Sequence, residues 1–191
     1  MNERLFLAIN GLSHHSAFLD ALMVFCAQYI PFILIAFLAY LWILGKSAGR
    51  RAAFRAGLSG GLALVLACIV GVFHYQALPS VLGLGRPLIL HTSNNSFPSD
   101  HVSFAFGIAM SLLFSGSTSI WPQAVLLAVL VSFARVFVGV HFPLDVLVGA
   151  VVGTSASLLI HLLRKKLSDR IADRVHGVQE RILSSMSRGS R

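Results

Sequence analysis

Arg135-Val136-Phe137-Val138-Gly139-Val140-His141-Phe142-Pro143-Leu144-Asp145 is the stretch on which the reading of this chain turns. It holds three ionisable groups, Arg135, His141 and Asp145, between two long apolar runs. A charged side chain inside a bilayer costs about 2.5–3.5 kcal/mol on insertion scales, so it is rarely there without a role. A second polar island, residues 96–101, precedes another apolar run, and Arg86-Pro87 lies a little upstream of it.

Working outward, the apolar context dominates. Of 191 residues, 56% are hydrophobic and 12% charged. A soluble domain carries about 25% charged residues, so the composition is that of an integral membrane protein. The formal charge of +8 is concentrated in one short segment, in the C-terminal tail and in the islands. That distribution is a topology signal and not a nucleic-acid footprint. Cys26 and Cys68 both fall in apolar runs and read as small buried side chains.

Hydropathy predicts an all-α membrane bundle of about five spans behind an N-terminal interfacial helix. Residues 1–20 carry Leu5, Phe6, Ile9 and Leu12 at helical spacing, followed by His14, His15 and Asp20 as solvated interfacial groups. Spans are expected at residues 21–44, 56–73, 101–114, 121–138 and 142–163. Pro31 is expected to kink the first, and Pro122 suits the first turn of the fourth. Gly57 with Gly61, and Gly149 with Gly153, form small-xxx-small pairs suited to helix packing.

Residues 45–55 carry Lys46, Arg50, Arg51 and Arg55 without an acid, which marks them as a cytoplasmic loop. Counting spans from there places the N-terminus outside and the tail inside. Arg86, His101, Arg135, His141 and Asp145 then all fall on the outer side. The chain divides into a membrane domain, residues 1–163, and a basic amphipathic tail, 164–191, on the inner leaflet.

As chemical groups, Arg86 and Arg135 present planar donor forks that suit phosphate oxygens. Ser99 lies before a helix start, where it either caps the helix or donates to a phosphate. His141 and Asp145 are four apart. The carboxylate either pairs with Arg135 or accepts from one imidazole nitrogen, which would leave the other nucleophilic. His101 is either interfacial or a general acid for a leaving oxygen. His91, Asn95 and Asp100 are further candidates for substrate contact.

Arg86-Pro87, Pro98-Ser99-Asp100-His101 and Arg135-x5-His141-x3-Asp145 together resemble the three-part signature of the type-2 phosphatidic acid phosphatase superfamily. That signature reads Lys-x6-Arg-Pro, Pro-Ser-Gly-His and Ser-Arg-x5-His-x3-Asp, and the match covers residues 74–153. The resemblance implies a helical membrane bundle that dephosphorylates lipids through a phosphohistidine, generally without a metal and with no cofactor. It implies His141 as nucleophile, Asp145 as its orienting group and His101 as general acid. Arg86, Ser99 and Arg135 would hold the phosphate oxygens.

Three positions depart from the pattern: Pro79 replaces the lysine, Ala134 the serine, and Asp100 the glycine. Ser96-Phe97-Pro98-Ser99-Asp100-His101 and Ala134-Arg135-x3-Gly139-Val140-His141-x-Pro143-Leu144-Asp145 are similar to the bacitracin-resistance branch of undecaprenyl-diphosphate phosphatases. The implied partners are a polyprenyl diphosphate substrate and membrane lipids, on the outer face of a bacterial inner membrane. A phosphatidylglycerophosphate or phosphatidic acid phosphatase is the alternative within the class. A non-catalytic lipid binder or transporter is the alternative outside it.

Overall fold

The computed structural model describes residues 1–89, 95–116 and 119–163. Among them are six helices: α1 (Asn2–Asn10), α2 (Ala17–Leu44), α3 (Ser47–Phe73), α4 (Asp100–Ser115), α5 (Trp121–Phe137) and α6 (Pro143–Leu163). The fold is all-helical, and its only β feature among the described residues is an isolated bridge between Ala77 and Asn95. Helices α2, α3 and α6 are long and apolar enough to cross a membrane, while α4 and α5 are shorter apolar helices. The expected tail, 164–191, lies outside the described residues.

Local signals explain most of the boundaries. The Ser16 side chain accepts from the Leu19 N–H and starts α2 four residues before the expected span. The helix then runs unbroken through Pro31. Gly116, at φ 59°, ends α4 in the left-handed conformation that glycine adopts without strain. Pro122 sits in the first turn of α5, as expected. The basic segment is not a loop. α3 begins at Ser47 and carries Arg50, Arg51 and Arg55 in its opening turns. Alanine and arginine are both strong helix formers, and nothing between Ser47 and Arg55 breaks the helix except Gly49.

The helices approach closely because the seams are built from small residues. α4 packs most extensively on α6 and then on α3. On α3 the buried side is Ala52, Ala56, Ser59, Gly60, Ala63 and Ala67. Gly107 of α4 lies against it, so that an added Cβ would come within 2.9 Å of the Ser59 carbonyl oxygen. Gly149 and Gly153 fill the same role on α6, against Ser99, Ser103 and Gly107. The expectation for Gly57 and Gly61 is corrected: both face open space, and Gly60 is the packed one. Spacing identified a small-residue helix, but the facing partner decides which stripe turns inward. Cys26 is buried as expected, whereas Cys68 lies on an exposed face.

The outward faces of α2, α3 and α6 are apolar, with Phe32, Ile43, Val65, Val72, Leu147 and Val151 all exposed. Such faces suit lipid tails. At one end of the bundle, Arg55 Nη2 lies 3.4 Å from Ser115 Oγ, which joins the start of α3 to the end of α4. The starts of α4 and α6 and the end of α5 therefore meet at the other end, away from the basic residues.

Candidate active site

The site grows from the turn between α5 and α6. Arg135 occupies the last turn of α5, where a cation meets the negative end of the helix dipole. Gly139, at φ 84°, supplies the sharp backbone turn that follows. His141 comes next, and α6 starts two residues later at Pro143. Asp145 Oδ2 accepts from the Phe142 N–H at 2.8 Å and so closes the first turn of α6.

Arg135 and His141 are each only 2% exposed. Arg135 Nη2 lies 3.0 Å from His141 Nε2. A guanidinium can only donate, so Nε2 is the accepting nitrogen and Nδ1 carries the ring proton. Nδ1–H donates to the Ser96 carbonyl oxygen at 2.8 Å. Asp145 Oδ2 stands 3.8 Å from the same nitrogen. The nearest acceptor is thus a peptide group and not the carboxylate anticipated from the i, i+4 spacing. The carboxylate adds a negative charge behind the ring.

The second island is fastened to this turn through its backbone. The Ser99 N–H donates to the Asp145 carbonyl oxygen at 3.2 Å. Ser103 Oγ donates to the Ser99 carbonyl oxygen at 2.9 Å. Ser99 Oγ is buried and has no hydrogen-bond partner within the protein. It does not cap α4. A buried hydroxyl without a partner inside the protein is uncommon.

His101 is half-buried and Asp100 is exposed. Both border a cavity of about 220 Å³ whose other walls are Pro31, Ile35, Leu64 and Phe104. A second apolar cavity, about 450 Å³, shares Ile35 and continues along α2 and α3 past Leu38, Trp42 and Phe54. The two apolar cavities therefore adjoin at Ile35, with Asp100 and His101 on the wall of the first.

Arg86 lies on the segment before α4, with an exposed side chain. Its segment is tied to the α5–α6 turn by the Leu88 N–H, which donates to the Val138 carbonyl oxygen at 3.0 Å. Pro79, at the lysine position of the signature, is buried, and its carbonyl oxygen accepts from the Leu84 N–H. Ala134 is fully buried. Asn95 is committed to the backbone. Its Oδ1 accepts from the N–H groups of Gln76 and Phe97, and its Nδ2 donates to the Gly71 and His74 carbonyl oxygens. It fastens the end of α3 to the second island. His91 lies outside the described residues.

The structure therefore gathers Arg135, His141, Asp145 and Ser99 in one buried cluster, with Asp100 and His101 along the adjoining cavity. Sequence reasoning missed the Ser96 carbonyl and the side chain of Asn10, whose Nδ2 donates to the Arg86 and Phe137 carbonyl oxygens. A carbonyl belongs to every residue and leaves no mark in a sequence. Asn10 lies in a stretch whose apolar spacing directs attention to its neighbours.

A lipid-facing helical bundle with a buried arginine–histidine pair at one end belongs to the class of polytopic membrane proteins. Within that class, the model of the PAP2 superfamily matches residues 52–169, and the chain belongs to this family. It is 33% identical to undecaprenyl-diphosphatase BcrC of Bacillus subtilis, over 98% of this chain and 96% of that protein. The crystal structure of Aquifex aeolicus LpxE is similar at a TM-score of 0.68 and 31% identity, covering 83% of this chain and 93% of that one. A PAP2-type phosphatidylglycerolphosphate phosphatase from Bacillus subtilis shares the fold, with a TM-score of 0.64 and 23% identity over 87% and 85% of the two chains.

Proposed function

We propose that this protein hydrolyses undecaprenyl diphosphate to undecaprenyl phosphate and inorganic phosphate, through a phosphohistidine on His141. The observation that carries the chemistry is the pair of bonds on His141. With Nδ1–H held by the Ser96 carbonyl oxygen, the Nε2 lone pair is directed at a buried guanidinium. A phosphoryl group drawn to Arg135 meets that lone pair. Near full-length likeness to BcrC supports the diphosphate substrate.

In the first step Nε2 attacks the terminal phosphorus and the bond to the bridging oxygen breaks. Arg135, Arg86 and Ser99 Oγ meet the charge on the equatorial oxygens. His101 donates a proton to the departing polyprenyl phosphate. Water then attacks the phosphohistidine, His101 takes its proton, and phosphate leaves. Phosphoryl transfer of this kind depends mainly on positioning and charge stabilisation. The apolar trough beside His101 suits the first isoprene units of the leaving lipid.

The site faces the outside of a bacterial plasma membrane, with the N-terminus outside and the tail inside. Lys46, Arg50, Arg51 and Arg55 at the opposite end support this orientation. Residues 1–163 form the catalytic domain.

Phosphate release from purified protein, on a panel of undecaprenyl diphosphate, phosphatidylglycerophosphate and phosphatidic acid, tests the reading. Turnover is expected to be highest on the diphosphate, and His141→Ala is expected to release none while eluting as folded protein. Preference for a monophosphate would overturn the substrate, and full activity in His141→Ala would overturn the nucleophile.

A further inference from the structure

Asn10 closes α1 and is only 2% exposed. Its carboxamide joins three segments distant in sequence. Oδ1 accepts from the Arg86 N–H at 2.7 Å. Nδ2 donates to the Phe137 carbonyl oxygen at 2.8 Å and to the Arg86 carbonyl oxygen at 3.2 Å. Phe137 is the last residue of α5, two after Arg135. One side chain thus holds together the backbones that carry both arginines of the site.

The surroundings are shaped to this contact. Gly85 and Gly139, which flank it, have φ of 71° and 84°. A Cβ on Gly139 would lie 2.9 Å from Pro87 Cα and 3.1 Å from Asn10 Nδ2. One on Gly85 would strike Asn10 Oδ1 and the ring of Phe6. α1 is itself fixed against the start of α6. Phe6 is fully buried, with its ring centroid 5.2 Å from that of Phe142, and Asn2 Oδ1 accepts from the Leu144 N–H at 3.0 Å. An interfacial helix serving only as a membrane anchor needs none of these contacts.

We infer that Asn10 is a positioning residue that sets where Arg86 stands relative to Arg135 and His141. The inference rests on the proposed role of Arg86 as a phosphate ligand. Arg86 has an exposed side chain on a loop, so its backbone anchor decides its reach. Without Asn10 the Arg86 N–H loses its acceptor and the loop is left with the Leu88 N–H bond to the Val138 carbonyl oxygen, two residues beyond Arg86, so that Arg86 itself is free to shift. A displacement of about 1 Å in such a group lowers rates by about 10²-fold.

A double-mutant cycle tests this. Phosphate release and inhibition by orthovanadate are measured for Asn10→Ala, Arg86→Ala and the double variant, with thermal midpoints in detergent. Asn10→Ala is expected to lower kcat/KM by about 10²-fold and to weaken vanadate inhibition. In the Arg86→Ala background the same change is expected to matter by less than about threefold. Equal losses in both backgrounds, or unchanged activity in Asn10→Ala, would overturn the positioning role. Full activity in Arg86→Ala would instead overturn the reading of Arg86 itself. If Asn10→Ala does not fold, Asn10→Asp replaces it. The acceptor for the Arg86 N–H then stays, the Nδ2 bonds to the Phe137 and Arg86 carbonyl oxygens are lost, and the tie to α5 is cut. A loss of kcat/KM that vanishes in the Arg86→Ala background supports the positioning role, and no loss, or an equal loss in both backgrounds, overturns it.

Discussion

Ser99 shows how much a single atom can say. Its Oγ is buried and makes no bond within the protein. A hydroxyl with no partner stabilises nothing, so its removal leaves the fold alone. In the proposed reaction its value lies in a bond to a phosphate oxygen, of the order of 1.5–3 kcal/mol. Ser99→Ala is therefore expected to lose about 10- to 100-fold in kcat/KM while its thermal midpoint moves by less than about 2 °C. A large drop in the midpoint with little change in turnover would give Ser99 to the fold. At this scale the sequence was informative where chemistry is local. His141 and Asp145 share a turn, and Arg135 lies just before them. It was silent on the Ser96 carbonyl, 45 positions from His141, because only the folded chain brings that peptide group there.

Among the helices, the decisive contacts are backbone against backbone. An added methyl at Gly153 would lie 2.8 Å from both Gly107 N and Phe106 Cβ, and it would strike the Ser103 carbonyl oxygen. Forcing it in pushes α6 away from α4 and costs about 1–3 kcal/mol. At Gly57 and Gly61 an added methyl meets nothing, and replacing glycine within a helix gains about 0.5–1 kcal/mol. Thermal unfolding in detergent should therefore rank Gly153→Ala below the parent, and Gly57→Ala and Gly61→Ala level with it or above. Equal effects at all three would contradict the seam described here. Hydropathy located the helices well, since long apolar runs admit few alternatives. It erred at α3, because an arginine-rich stretch with only Gly49 to weaken it is equally compatible with loop and helix until tertiary packing decides.

For the whole molecule, the separation of the buried His141 cluster from the basic residues is the governing feature. The His141 cluster lies at one end, and Arg50, Arg51 and Arg55 at the other, joined to the end of α4. In a protein cleared of Cys26 and Cys68, single cysteines at the exposed positions Ser80 and Ser47 report on the two ends. A membrane-impermeant maleimide applied to intact cells is expected to label Ser80→Cys and to leave Ser47→Cys unlabelled until the membrane is opened. The opposite pattern would invert the orientation. The apolar helices were open to sequence reasoning because they need only apolar length, although just three of the five expected spans, α2, α3 and α6, have the length to cross a membrane. The role of α1 was not, because its contacts with Arg86, Phe137 and Leu144 join residues more than 70 positions apart.

The peptide group that holds His141 has a genetic consequence. Any residue placed at 96 brings the same carbonyl oxygen, so a scan of side chains there reads the buried Ser96 hydroxyl, which donates to the Gln76 carbonyl oxygen at 3.1 Å, and is blind to the group that holds the His141 ring. The signal would surface one residue earlier, at Asn95, whose amide bonds hold that turn of chain in place. The group that fixes the His141 ring would be recorded in the behaviour of its neighbour.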